Sequence, residues 1–247
     1  MLWAPQARHT GDVDLVIEFW RRLTQLGPRL PLEWALGCGL VALALVLVAW
    51  PAVRLLATIS HEAGHALVAR LCGRRLSGIR VHSDTSGLTV TRGRPGGPGM
   101  VATLLAGYAA PGLVGLGLAW LVSIGHAAAA LWLTVLGLAA VLVWTRNLYG
   151  LFVVALLGAG IAAASWYAQP LLLGVLASLL AWLLLWSGPR PVIELIGHRG
   201  AGSDAAQLAA ITRVPGLVWC LGWLGVTVAA LLGGAVLLLP DLAGLLR

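Results

Sequence analysis

Residues 127–145 read AAAALWLTVLGLAAVLVWT, a stretch without a single charged side chain. An apolar run of about 18 residues or more can cross the roughly 30 Å hydrocarbon layer of a bilayer as a helix. A helix is required there, because in hydrocarbon only the chain itself can satisfy its peptide groups. Working outward, six further segments share this character, at about 33–50, 52–72, 100–124, 148–165, 170–187 and 216–239. The composition agrees: 60% of the 247 residues are hydrophobic and 10% charged, against about a quarter charged in soluble domains. The sequence therefore predicts an all-α polytopic membrane protein, with about seven transmembrane helices in a unit covering 33–247.

All 16 basic residues are arginine, and the net charge is +7. With a cytoplasmic N-terminus, the inner segments hold Arg8, Arg21, Arg22 and Arg29, then Arg70, Arg74, Arg75, Arg80, Arg92 and Arg94, then Arg146, and then Arg190, Arg199 and Arg213. Only Arg54 and Arg247 fall outside, a bias that predicts N-terminus in and C-terminus out. Orientation and contact with the anionic face of the lipid bilayer account for the charge, so no nucleic-acid partner is expected. Within residues 1–32, Val16, Phe19, Trp20, Leu23 and Leu26 recur at helical spacing, Asp12 can cap the start and Gly27-Pro28 ends the run. This pattern predicts an interfacial N-terminal helix, amphipathic and lying on the cytoplasmic side. Cys38, Cys72 and Cys220 form no Cys-x-x-Cys pair and are expected to be small apolar fillers.

Two loops carry patterns of their own. In IRVHSDTSGLTVT, residues 79–91, apolar and polar positions alternate on both sides of a Ser-Asp-Thr-Ser-Gly turn, which predicts a short cytoplasmic β-hairpin. The loop 188–215 opens as GPRPVIELIGHRGAG, where two prolines argue against a regular helix. It continues as SDAAQLAAITRVPG, a helix-like run starting at Ser203 or Asp204 and closed by Pro215.

One apolar segment contains HEAGH, residues 61–65. Histidines at i and i+4 lie one turn apart on the same helix face, so His61 and His65 can reach one metal ion. Glu62 is then placed to take a proton from a water activated by that metal, the chemistry of a zinc hydrolase. Ionisable side chains in a membrane helix are costly and are functional by default. At 1.5 Å per residue the site lies about 12 Å below the cytoplasmic surface, and a polar cavity is expected to reach it from that side. Two histidines leave a catalytic zinc short of a ligand. Of nine acidic residues, those before the first crossing and Asp241 are remote, leaving Asp84, Glu194 and Asp204 beside Glu62.

HEAGHALVARLCGRRLSGIRV, residues 61–81, resembles the active-site helix of the site-2 protease family of intramembrane zinc metalloproteases, in its bacterial branch. AGYAAPG at 106–112 resembles an Ala-Gly-x-x-Pro signature on a following helix of that family. The family's usual aspartate precedes a glycine on a later helix; this chain has no Asp-Gly pair, and RNLYG at 146–150 offers no carboxylate. GSDAAQLA at 202–209 resembles a Ser-Asp-Ala-x-x-Leu stretch of the bacterial branch, which favours Asp204 over Glu194. The resemblance implies a Zn2+ cofactor held by His61, His65 and Asp204, with Glu62 catalytic. It further implies cleavage of a membrane-protein substrate within or next to a transmembrane segment, in a bacterial plasma membrane. Arg146 and Asn147 are candidates to stabilise an oxyanion or support a ligand. Leu88, Thr89 and Val90 are candidates to pair with an unwound substrate strand. The competing expectation is an inactive relative that binds or scaffolds membrane proteins; such a protein has no need of Glu62.

Overall fold

The computed structural model describes residues 10–198, 200 and 202–239. Arg8, Arg199, Asp241 and Arg247, and the side chains of Asp12 and Val16, lie outside the described residues. The chain forms α1 (Thr10–Thr24), α2 (Leu32–Val48), α3 (Trp50–Leu71), β1 (Arg75–Val81), β2 (Gly87–Arg92), α4 (Pro98–Ser123), α5 (Ala127–Trp144) and α6 (Leu148–Tyr167). It continues with α7 (Pro170–Ser187), α8 (Pro189–Gly197), α9 (Asp204–Thr212) and α10 (Gly216–Leu238). Pro189 and Pro191 do not prevent α8, contrary to expectation: both sit in its first turn, where no backbone N–H has a partner inside the helix.

Among the described residues, five helices are long and apolar enough to cross a membrane: α4, α5, α6, α7 together with α8, and α10. The two segments expected to cross separately at 33–50 and 52–72 become α2 and α3, which meet at 102°. Contacts at the two ends of the bundle fix what this pair does. Gly27 N–H donates to Gly125 O at 2.8 Å, the Phe19 ring meets Trp132 edge-on at 4.9 Å, and Arg22 Nη1 donates to Trp166 O at 2.6 Å. The N-terminal segment therefore sits with the α4–α5 and α6–α7 turns. The hairpin sits at the other end, where Arg146 N–H donates to Ile79 O at 2.9 Å beside the α5–α6 turn.

Helix α2 runs parallel to α7, with Leu30 packed by Gly174, Gly39 by Trp182, and Arg190 donating to Val46 O. It carries the chain from the first end toward the second, and α3 carries it on to the hairpin. Counted as one broken span, the pair brings the candidate spans among the described residues to six. The segment from Phe19 to Gly27 and the hairpin lie at opposite ends of the bundle. Ala49 leaves helical geometry (φ −119°, ψ 32°) and Pro51 cannot donate to a continuing helix. Hydrophobicity marks that boundary but carries no sign of the bend's direction. In α1, Glu18 binds Arg21 and Arg22 at 2.8 and 2.6 Å. Those two guanidinium groups hold its carboxyl down to about 2.

Helix α4 is the axis of the bundle, against which α3, α7 and α10 pack. One apolar core joins α2, α4, α5, α7 and α10 around Ala42, Ala119, Leu131, Trp182 and Leu185. A second, around Leu104, Val192, Leu208 and Trp223, clamps α8 and α9 onto α4 and α10. In the antiparallel hairpin Ile79 faces Thr89 and Val81 faces Gly87. Residues directly opposite share a face. Ile79 and Val81 are buried in a third core with Ile59, Val141 and Val154. Gly87 and Thr89 consequently point inward, while Leu88 and Val90 are turned outward and exposed.

Candidate metal centre

Helix α3 presents His61 and His65 one turn apart, with their Nε2 atoms 2.9 Å from each other. Helix α9 delivers Asp204, whose Oδ2 lies 3.2 Å from both. The start of α9 explains how this carboxylate is free to do so. Ser203 is the N-cap, its Oγ accepting from Ala206 N–H at 3.3 Å. Asp204 is one position further in and is not needed for the cap. Ala205 and Leu208 are fully buried and pin the helix in place.

His65 Nδ1 lies 2.7 Å from Thr103 O. Since a carbonyl only accepts, Nδ1 carries the proton and Nε2 presents a lone pair toward Asp204. Two imidazole nitrogens and a carboxylate oxygen thus converge on one another. Oδ2 of Asp204 is buried without a hydrogen-bond partner of good geometry. A cation resolves this convergence. Tetrahedral zinc, with bonds of about 2.0–2.2 Å, needs donor atoms about 3.3 Å apart, and the three separations come within about 0.4 Å of that. The residues present fit zinc.

Three glycines let the backbone approach the site. A Cβ on Gly107 of α4 would overlap His65 Nε2 and His61 Cε1. A Cβ on Gly64 would overlap Ala106 O and the Ala110 methyl. The motif stretches HEAGH and AGYAAPG therefore meet face to face across the α3–α4 contact. On the other side, a Cβ on Gly87 of β2 would overlap the carboxylate of Glu62. Glu62 itself is buried, and Thr89 Oγ1 donates to its Oε2 at 2.5 Å. Thr58 Oγ1 donates to Thr85 O at 2.8 Å and ties the hairpin turn to α3.

The other expected residues are placed elsewhere. Glu194 pairs with Arg190 at 3.5 Å on α8. Asp84 accepts from Ser86 N–H at 2.9 Å and Ser86 Oγ at 2.6 Å in the hairpin turn. Those bonds hold its carboxyl below the ordinary range. Asn147 was expected near a developing oxyanion; instead its Nδ2 donates to Val81 O at 2.6 Å and its Oδ1 accepts from Val81 N–H at 3.2 Å. Arg146 donates to Val143 O at 2.7 Å and Thr145 O at 3.1 Å. Both residues anchor β1, because the α5–α6 turn arrives beside the strand and not beside the histidines. Of the three hairpin residues, Thr89 alone reaches Glu62; Leu88 and Val90 face away. Gly107, Gly87 and Thr103 were missed. Gly107 lies inside the quoted AGYAAPG stretch, where a glycine within an apolar helix signals close backbone approach.

A family model described as Peptidase M50B-like matches residues 35–234. The chain belongs to that family. The matched span holds both histidines, Glu62 and Asp204, as well as α4 and the hairpin. The M50 peptidase family is typically metal-dependent, in keeping with the His/Asp cluster. No curated protein and no solved structure matches the chain.

Proposed function

We propose that this M50B-like protein is an intramembrane zinc endopeptidase that hydrolyses a peptide bond within or next to a transmembrane segment of another membrane protein. The observation that carries the reading is the convergence of Asp204 Oδ2 on both histidine Nε2 atoms, with Glu62 adjoining in the sequence. His61, His65 and Asp204 would hold the ion. When bound, zinc would supply a Lewis acid that acidifies water and polarises the scissile carbonyl. Glu62 accepts the proton of the attacking water at its carboxylate and returns it to the leaving amine. Thr89 orients that carboxylate through its bond to Oε2. His65 is held in the ligating tautomer by Thr103.

A transmembrane helix must unwind before its carbonyls become available, and the edge of β2 not paired with β1 offers the unwound strand a main-chain partner. Among the described arginines, Arg70, Arg74, Arg75, Arg80, Arg92, Arg94, Arg146 and Arg213 lie at the hairpin end, against Arg21, Arg22 and Arg29 at the other. That bias supports a cytoplasmic hairpin and an N-terminus on the outer side of a bacterial plasma membrane.

The test is to purify the protein in detergent, measure its zinc content and follow cleavage of membrane-anchored substrates. Glu62→Gln should retain zinc and lose about 100-fold or more in rate. Asp204→Ala should lose both zinc and activity. Equal turnover by wild type and Glu62→Gln would sink the proposal.

A further inference from the structure

Two cavities adjoin the metal centre and share His61, Glu62, Gly87 and Tyr108 in their walls. One, of about 280 Å³, runs past Thr89 and Thr103 to Ser203 and Gln207. The other, of about 210 Å³, runs the opposite way along α3, between the hairpin turn at Thr85 and Ser86 and the helix junction at Gly188 and Pro191. Its far wall carries Arg54. The two cavities thus adjoin at His61 and Glu62, while His65 and Asp204 line only the first.

Arg54 differs from Arg190 in its partners. It lies with Pro111, midway along α4, and no hydrogen bond or ion pair engages it among the described residues. Arg190, on the same side of the bundle, is fully occupied: it donates to Val46 O, pairs with Glu194 and stacks over Trp50. Arg54 is exposed where it lines this cavity, so its guanidinium is open to a ligand there. Arg54 is seven residues, two turns, before His61, which puts both on one face of α3. Side chains on a helix lean toward its N-terminus, so the guanidinium points away from the ligands and not at the reacting carbonyl. Its planar fork of donors matches a carboxylate.

We propose that the Arg54 end of the second cavity is a recognition subsite for a carboxylate on the substrate. Seven residues of helix rise about 10 Å, and an extended strand covers that distance in about three residues. The favoured substrate thus carries its negative charge about three residues from the scissile bond. The charge comes from an Asp or Glu side chain, or from a free C-terminus at that distance. This deepens the proteolytic reading and rests on it.

The test separates the two. Full-length Glu62→Gln protein in nanodiscs is titrated with an apolar peptide series in which a single Glu, or Gln as control, is moved through successive positions. One position should bind about ten-fold more tightly as Glu than as Gln. Arg54→Gln should erase that preference, Arg54→Lys should retain part of it, and Arg54→Glu should transfer it to a Lys peptide. Zinc content serves as the check on folding for each variant. Peptides ending at the favoured position as free acid or amide distinguish a C-terminal carboxylate from a side chain. No preferred position, or a preference that survives Arg54→Gln, overturns the subsite. Selective binding without any cleavage by the wild type would leave the subsite standing and remove the peptidase reading. Cleavage indifferent to both Glu and Arg54 would do the reverse.

Discussion

Helices α3 and α6 border the same apolar cavity of about 630 Å³, α3 contributing Leu55, Leu56 and Ile59 and α6 contributing Val153, Leu157 and Ile161. They are built on different terms. Helix α3 meets α4 backbone to backbone at Gly64, meets β2 at Gly87, and is tied to the hairpin by hydroxyl bonds from Thr58 and Thr89. Helix α6 packs on α5, touches β1, buries Gly150, Val154 and Ser165, and leaves Phe152 and Leu156 exposed. Chemistry that needs ligand atoms held to a few tenths of an ångström has been placed where main chains touch and side chains have no room to adjust. The outer helix, held by ordinary side-chain packing, has no such demand on it.

Glycine substitutions probe that contrast most sharply. Gly107→Ala drives a methyl into both imidazoles, and we expect zinc affinity to fall about 10- to 100-fold, the loss typical when the support of a ligand is disturbed. Competition titration against a chelator would measure it, and an unchanged affinity would mean that α4 is not the wall of the site. A smaller loss should follow from Asn147→Ala, which removes both bonds to Val81 and weakens hairpin docking by about 1–3 kcal/mol. Hydrogen exchange should rise across residues 75–92 and cleavage should slow, with zinc still bound; an unperturbed hairpin would show that the apolar face of β1 suffices.

Ser203→Ala deletes the cap of α9 at a cost of about 1 kcal/mol. Because that helix carries Asp204, the same variant should weaken zinc binding by about five-fold, read by the same titration; no change would make α9 rigid without its cap. The smallest effect belongs to the outer helix. A Cβ on Gly160 of α6 meets nothing within 4 Å, so Gly160→Ala should alter stability by no more than about 1 kcal/mol and leave zinc content unchanged. A large loss there would erase the distinction between the two helices.

Much of this was legible in the chain. Charge-free runs declare the membrane helices, alternation around Ser83–Gly87 declares the hairpin, and HEAGH declares two donors and a neighbouring carboxylate. Asp204 could be narrowed to one of three acids and favoured by resemblance, since Ser203 competes with it for the cap and spacing alone cannot say which residue takes it. The contribution of Thr89 depends on strand register, which puts Leu88 and Val90 outside in spite of their apolar character. The roles of Asn147 and Gly107 depend on which elements end up adjacent. The course of the first two apolar segments was hidden for a similar reason: each has the length of a crossing, and only contacts made by Gly27 and Leu30 reveal their direction.

The 102° bend also bears on how the protein is made. Helix α2 is apolar throughout, with Glu33 at its edge, while α3 carries Arg54, His61, Glu62 and His65. Counted as one broken span, the pair adds a single passage, and inserting its two helices as separate spans would invert every helix that follows. In a shared passage the greasy helix escorts the ionisable one, and the parity of the later helices turns on the break at Ala49.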